Sequence, residues 1–217
     1  MIMASRIMHL AIADRIFENV EINEKSRFNF GTILPDAYRE GENIAVSHFK
    51  IRILNNTKLT YDLTEFRNKY KEKLVSDDLY LGYYIHLVED LFFRDFVYDK
   101  HHWDPMPKGN VQRLHNDYKL LNTYLIEKHR LLNNISIPCE IKEESIFEIY
   151  PFDINNLVKE LKTDFQFYND GKIFFFTKEM ADEFIENTAV KCVNEIKAIR
   201  AGKTSINENE FAWNVHK

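Results

Sequence analysis

His86 and Asp90 lie four residues apart, a separation that sets both side chains on one face of a helix, a turn apart, where they can reach one ion together. Gly82, one turn earlier on that face, leaves room for a neighbour or a substrate. His9 brings an imidazole from a distant stretch of chain, and Asp36 and His48 bring a carboxylate and a third imidazole, both flanked by apolar residues. Unpaired charge among apolar groups is costly, and a divalent cation is one of the few partners that can offset several carboxylates and imidazoles at once. Asp117, with His115 nearby, arrives from a later segment, and Asp95 follows Asp90 closely. Nitrogen and oxygen ligands without thiolate suit zinc in a catalytic setting, with iron or manganese as alternatives. Each residue also has an ordinary reading: a hydrogen-bonded core histidine for His9, a helix cap for Asp36, an ion pair with Asp90 or Asp95 for Arg94. Alternatively, the fork of donors on Arg94 offers a contact for a substrate phosphate.

The elements that must position these residues are helical. With 6 Gly and 5 Pro in 217 residues, turn punctuation is far below the usual level of roughly 12%, which argues against a β-rich sandwich or barrel. The expected architecture is all-α, a single multi-helix domain over residues 1–200 with a polar tail over 201–217 that is frayed apart from Phe211 and Trp213. Ser5 caps a first helix to Phe17 that carries His9, Ile12, Ala13 and Ile16 on one stripe. Residues 21–60 show no sustained period and read as a long connection packed onto the body, with at most short helical pieces. Further helices are expected over 62–74, 77–98, 110–132, 153–167 and 177–200. The second of these carries His86 and Asp90 on an inward face, and the third carries Asp117. Asp62 with Glu65 reads as an ordinary capping box. His101-His102-Trp103 belongs to a surface turn, and Phe174-Phe175-Phe176 to the core.

Composition also narrows the setting. No apolar run approaches the roughly 18 residues that cross a bilayer, and the charged start of the chain does not read as a signal peptide. Cys139 and Cys192 give no disulfide framework, so a reduced, cytoplasmic protein is expected. A net charge of -5 offers no broad attraction to nucleic acid or to an anionic membrane. No stable nucleic-acid partner is therefore expected.

The order of the pieces is more informative than any one of them. A His in the first helix, the loop Gly31-Thr32-Ile33-Leu34-Pro35-Asp36, the pair Ser47-His48 and the spacing Gly82, His86, Asp90 together resemble the zinc-dependent phospholipase C family, whose relatives include the helical zinc nucleases of the S1/P1 type. The resemblance covers roughly residues 1–120. It implies a helical fold holding two or three zinc ions and a small phosphodiester or phospholipid-derived substrate cleaved by metal-activated water. His9, His48, His86 and Asp90 would be ligands, and Asp36 either a ligand or the base for the attacking water. The family's further His after the helical Asp is replaced here by Arg94, Asp95 and Phe96, and the residue four after His115 is Lys119 instead of Glu. Asp95 and Asp117 are the substitutes that could complete the cluster. The competing expectation is a non-catalytic helical metal-binding scaffold. A phosphohydrolase of the HD type would need an adjacent His-Asp pair, which the chain lacks.

Overall fold

The computed structural model describes residues 3–38, 43–168 and 170–215. Helix α6 (Asp78–Arg94) is the axis of the fold, and each of its 17 residues is buried. A helix apolar on every side is stable only when other elements surround it. Around it stand α1 (Arg6–Phe17), α2 (Lys25–Gly31), α4 (Leu63–Lys69), α5 (Lys73–Ser76) and the long α9 (Lys178–Arg200), with α7 (Asn110–His129) and α8 (Ile154–Asp164) packed outside α1. Short caps start several of them: Ser5 Oγ accepts from Met8 N at 3.3 Å, Asp77 from Leu79 N at 3.0 Å, and Thr177 from Met180 N at 3.3 Å.

Predominantly helical architecture is as composition requires, but the region after Gly31 holds more regular structure than its lack of period suggested. A 3₁₀ turn (Leu34–Asp36) and a one-turn helix α3 (Ile44–Ser47) lead into a hairpin of β1 (Lys50–Ile53) and β2 (Lys58–Tyr61). The hairpin pairs Lys50 with Tyr61 and Ile53 with Lys58, and Leu54, Asn55 and Asn56 turn it through positive φ. Strands of four residues are too short to show an alternation legible in sequence. The helix expected over 62–74 divides into α4 and α5. That expected to reach residue 98 changes character after Arg94, where Asp95–Lys100 forms a wider π-type turn.

The segment after Arg200 is a second correction. It does not fray: a 3₁₀ turn (Glu208–Phe211) leads to β3 (Trp213–Asn214), which pairs antiparallel to β2 with Trp213 opposite Leu59, completing a three-stranded sheet in the order β1-β2-β3. Two buried carboxylates hold it down. Glu195 of α9 accepts from Tyr84 Oη (2.7 Å), Thr204 Oγ1 (2.8 Å) and the amide of Ser205 (2.6 Å), and Glu208 accepts from the amide of Thr64 at 2.9 Å. These are charge-assisted bonds in a dry setting, which outweigh the tail's polar composition.

The closest backbone approach is between α2 and α6. A Cβ on Gly82 would stand 2.2 Å from the carbonyl oxygen of Phe28, and one on Gly31 would stand 2.3 Å from that of Leu79. Gly82 thus admits a neighbouring backbone. Polar contacts fix the register: Arg27 grips Asp77 at 2.7 and 2.8 Å, and the amide of Glu24 donates to Asp78 at 2.6 Å. Gly82→Ala forces two main chains apart, since the obstacle is backbone and cannot rotate away. Chemical denaturation should show a loss of stability of about 2–3 kcal/mol; a loss below about 0.5 kcal/mol would show that the helices do not meet as described.

Candidate metal centre

Four segments deliver six ionisable side chains to one buried place. His9 comes from the second turn of α1, Asp36 from the 3₁₀ turn, His48 from the residue that ends α3, and His86, Glu89 and Asp90 from the middle of α6. His9, His48, His86, Glu89 and Asp90 are fully buried and Asp36 is 5% exposed. The order of segments in the chain is therefore also a meeting in space. The Gly31–Gly82 contact places the carbonyl of Thr32 beside α6, and the Tyr83 hydroxyl donates to the carbonyl of Ser47, tying the His48 segment to the same helix.

The ring nitrogens show what the arrangement is built for. His86 Nδ1 donates to the Thr32 carbonyl at 2.8 Å. His48 Nδ1 faces the Ile44 carbonyl at 3.1 Å and Ser47 Oγ at 2.9 Å, and Ser47 Oγ itself donates to that carbonyl, so this nitrogen too carries a hydrogen. In the neutral rings both Nε2 atoms then bear lone pairs, yet they point at each other across 3.1 Å. His9 Nδ1 is bonded to Glu89 Oε2, and its Nε2 has no hydrogen-bond partner. Fixing one ring nitrogen by an acceptor and leaving the other bare is the pattern by which metal-binding histidines are oriented.

The carboxylates complete the picture. Asp90 Oδ1 accepts from the amide of Ala4 at 3.0 Å and lies 3.6 Å from His9 Nε2, while Oδ2, without a hydrogen-bond partner, lies 3.6 Å from both His48 Nε2 and His86 Nε2. Asp36 Oδ1, also without one, stands 3.6 Å from His48 Nε2. The atoms resolve into two overlapping groups, His9-His86-Asp90 and Asp36-His48-His86, each with ligand atoms within 4.8 Å of one another. Bare lone pairs and anionic oxygens facing one another without protons between them repel; a cation held among them removes the repulsion. The residues fit a divalent metal with nitrogen and oxygen ligands.

Proton affinities follow the same geometry. Burial pushes Asp90 up to about 6, against the pull of His9 and His48. Burial also raises Glu89, to about 7, although the bond from His9 lowers it. Burial would depress His9, but the bond to Glu89 and the nearby carboxylates lift it to about 8. His86 is driven well below the usual imidazole range by burial and by the charge of His9. Asp36 is held below the usual carboxylate range, since His48 and His86 outweigh its burial.

Asp117 does not join the cluster. Its two oxygens accept the consecutive amides of Phe174, Phe175 and Phe176 at 2.7, 2.8 and 2.9 Å, so its burial is explained by capping a bend in the chain. His115 is half-buried with its ring 5.8 Å from Tyr118, and half-buried Asp95 opens the π-type turn. Neither belongs to either ligand group. Arg94 is buried, with its guanidinium 4.1 Å over the Trp213 ring and 4.8 Å over that of Tyr98. Burial and the nearby positive charges of Arg94 and Arg52 push Lys50, over the same indole, down to about 8. Glu89 is the site residue that sequence reasoning missed. It stands three residues after His86 and seven after Gly82, a spacing that shares their face, and a further signal was an acid inside a helix with no polar face to receive it.

No protein-family model, curated protein or solved structure matches the chain.

The donor set predicts how variants should behave. His86→Ala and Asp90→Ala should lose the metal from the protein as isolated, measured by elemental analysis, whereas Asp117→Asn should keep it while lowering stability. Glu89→Gln, which removes the acceptor that orients His9, should weaken metal affinity roughly 10- to 100-fold. Protons compete with the metal for Asp90 and His9, both of which hold them more tightly than usual. Apparent affinity should therefore rise with pH, by more than about tenfold between roughly pH 6 and pH 8, and a flat profile would exclude these two residues as ligands.

Proposed function

We propose that this chain is a metal-dependent hydrolase, with zinc as the expected metal, that cleaves a phosphodiester or phospholipid-like ester in the manner of the zinc phospholipase C and P1 nuclease type. The observation that carries the reading is the convergence of His9, Asp36, His48, His86 and Asp90, in that chain order, with bare ligand atoms directed at one another in a dry interior. When bound, zinc supplies positive charge that acidifies water and polarises a phosphoryl oxygen. The protein's part is to hold the ligands in place. The Thr32 carbonyl fixes His86 with Nε2 inward, the Ile44 and Ser47 acceptors do the same for His48, and Glu89 does so for His9.

The depressed proton affinity of Asp36 bears on its role. A general base works best with a pKa near the working pH, and a carboxyl held below the usual range is a poor base. Asp36 is better suited to act as an anionic ligand than to take the proton from water. Arg94, one helical turn after Asp90, would meet an anionic part of the substrate away from the reacting phosphoryl group.

A second reading, a non-catalytic scaffold that keeps a metal for structure, draws on the near-complete burial of the same side chains. Turnover separates the two. The purified chain should hydrolyse a bis(nitrophenyl) phosphate, lose that activity to a chelator and regain it with added zinc, while His86→Ala falls by at least roughly 100-fold. Metal bound at full occupancy with no chelator-sensitive turnover on phosphodiesters would leave the scaffold reading standing.

A further inference from the structure

Beside the ligand cluster lies a layer of aromatic rings whose faces are already occupied by cations. Tyr61 of β2 has its ring centroid 6.2 Å from that of His48 and 5.2 Å from that of Trp213 in β3. The Arg94 guanidinium sits 4.1 Å over the Trp213 ring, and the ammonium of Lys50 sits 5.5 Å from the same ring. Sheet register makes the grouping, since Lys50 pairs with Tyr61 across β1 and β2, and Trp213 pairs with Leu59 across β2 and β3.

Two polar atoms in this layer point to a ligand. Tyr61 is fully buried and Trp213 is 3% exposed, yet neither the Tyr61 hydroxyl nor the Trp213 indole Nε1 has a hydrogen-bond partner. Both can donate, and a buried donor left unmet costs free energy that an acceptor beside it would recover. Lys50 is half-buried and forms no ion pair with a carboxylate among the described residues. Aromatic walls of this kind ordinarily suit a cationic group such as a quaternary ammonium. Here the protein's own cations cover the indole, so a positively charged ligand would be repelled and an anion attracted.

We infer that Lys50, Arg94, the Tyr61 hydroxyl and the Trp213 indole N–H form an anion subsite next to the metal centre, which takes a phosphate monoester on the non-reacting side of the substrate. This rests on the hydrolase reading for the word substrate, but the subsite itself does not require turnover. The positive charge of Lys50 and Arg94 attracts a phosphate, and two neutral donors supply further hydrogen bonds to its oxygens. The preferred substrate would then be an ester carrying a second, terminal phosphate, in contrast to one with a trimethylammonium head.

The test follows the Trp213 indole N–H by proton–nitrogen NMR in the full chain as isolated, with Trp103→Phe to assign the other indole. Titration with inorganic phosphate should shift the Trp213 resonance in a saturable way. Lys50→Gln, on an edge strand where the change is tolerated, should weaken that affinity roughly tenfold, and Lys50→Arg should stay within about threefold of the parent. Tetramethylammonium chloride should leave the resonance in place. A resonance that phosphate does not move, an unchanged affinity in Lys50→Gln, an equal loss in Lys50→Arg, or a shift with tetramethylammonium would each overturn the subsite. Phosphodiester turnover, measured on the same samples, separates the two ideas. Phosphate binding through Lys50 without turnover removes the reaction and keeps the subsite; turnover with a Lys50-independent affinity does the reverse.

Discussion

The architecture turns on two backbones in contact. Where Gly31 meets Gly82 there is no space for a Cβ on either side, and this approach brings the loop after α2 within hydrogen-bonding reach of α6. The Thr32 carbonyl can then fix the ring of His86, and the 3₁₀ turn that follows carries Asp36 to the same place. Larger residues would separate the helices by the width of a side chain, and the loop ligand and the helix ligands would no longer share a site. Arg27 with Asp77 and the amide of Glu24 with Asp78 hold the contact at one end, so the approach is defined in register as well as in distance.

That closeness has a consequence for the charges it encloses. Three imidazoles and three carboxylates in a fully apolar surrounding would, without partners, cost several kcal/mol each. Part of the cost is met locally, by Glu89 for His9, by the Ala4 amide for Asp90 and by main-chain carbonyls for the other two rings. What is left over is His9 Nε2, Asp36 Oδ1, Glu89 Oε1, Asp90 Oδ2 and the two facing Nε2 atoms of His48 and His86. Among the candidate ligands, the atoms without a partner are those that lie close to one another. Glu195 shows the contrast, because there a buried carboxylate meets four donors from Tyr84, Thr204 and Ser205 and leaves nothing directed at an empty point.

Much of this was legible in the sequence, and the rest was not, for identifiable reasons. Helical spacing alone put His86 and Asp90 together and His9 on an inward stripe, because an apolar helix with a few ionisable residues has only one place to put them. Scarce Gly and Pro pointed to helices, and two of those glycines mark the contact that builds the site. Asp117 misled because burial of a carboxylate has two common explanations, a cation or a set of amides, and the amides of Phe174 to Phe176 lie more than fifty residues away in the chain. Glu89 was hidden because α6 is buried on all sides, so the assumption that one face is solvated does not apply to it. The three-stranded sheet escaped notice because its strands have two to four residues, and because the partner that completes it comes from the far end of the chain.

That last feature gives the polar C-terminal segment a purpose beyond closing the fold. If its only role were to cover β2, almost any short strand would serve, and the apolar side chain opposite Leu59 need not be an indole. Trp213 instead supplies a flat surface on which Arg94 stacks and near which Lys50 sits, so that cations from two separate elements are kept close together despite their repulsion. Stacking on an indole stabilises each guanidinium or ammonium by roughly 0.5–2 kcal/mol, enough to hold positive charge beside a cluster of buried carboxylates and imidazoles. Neutralised by two divalent ions, the ligand cluster would no longer attract those cations, and their field would be directed outward to whatever anion approaches. The ligand cluster and the aromatic layer are joined through the sheet, in which the β1–β2 hairpin meets the C-terminal β3.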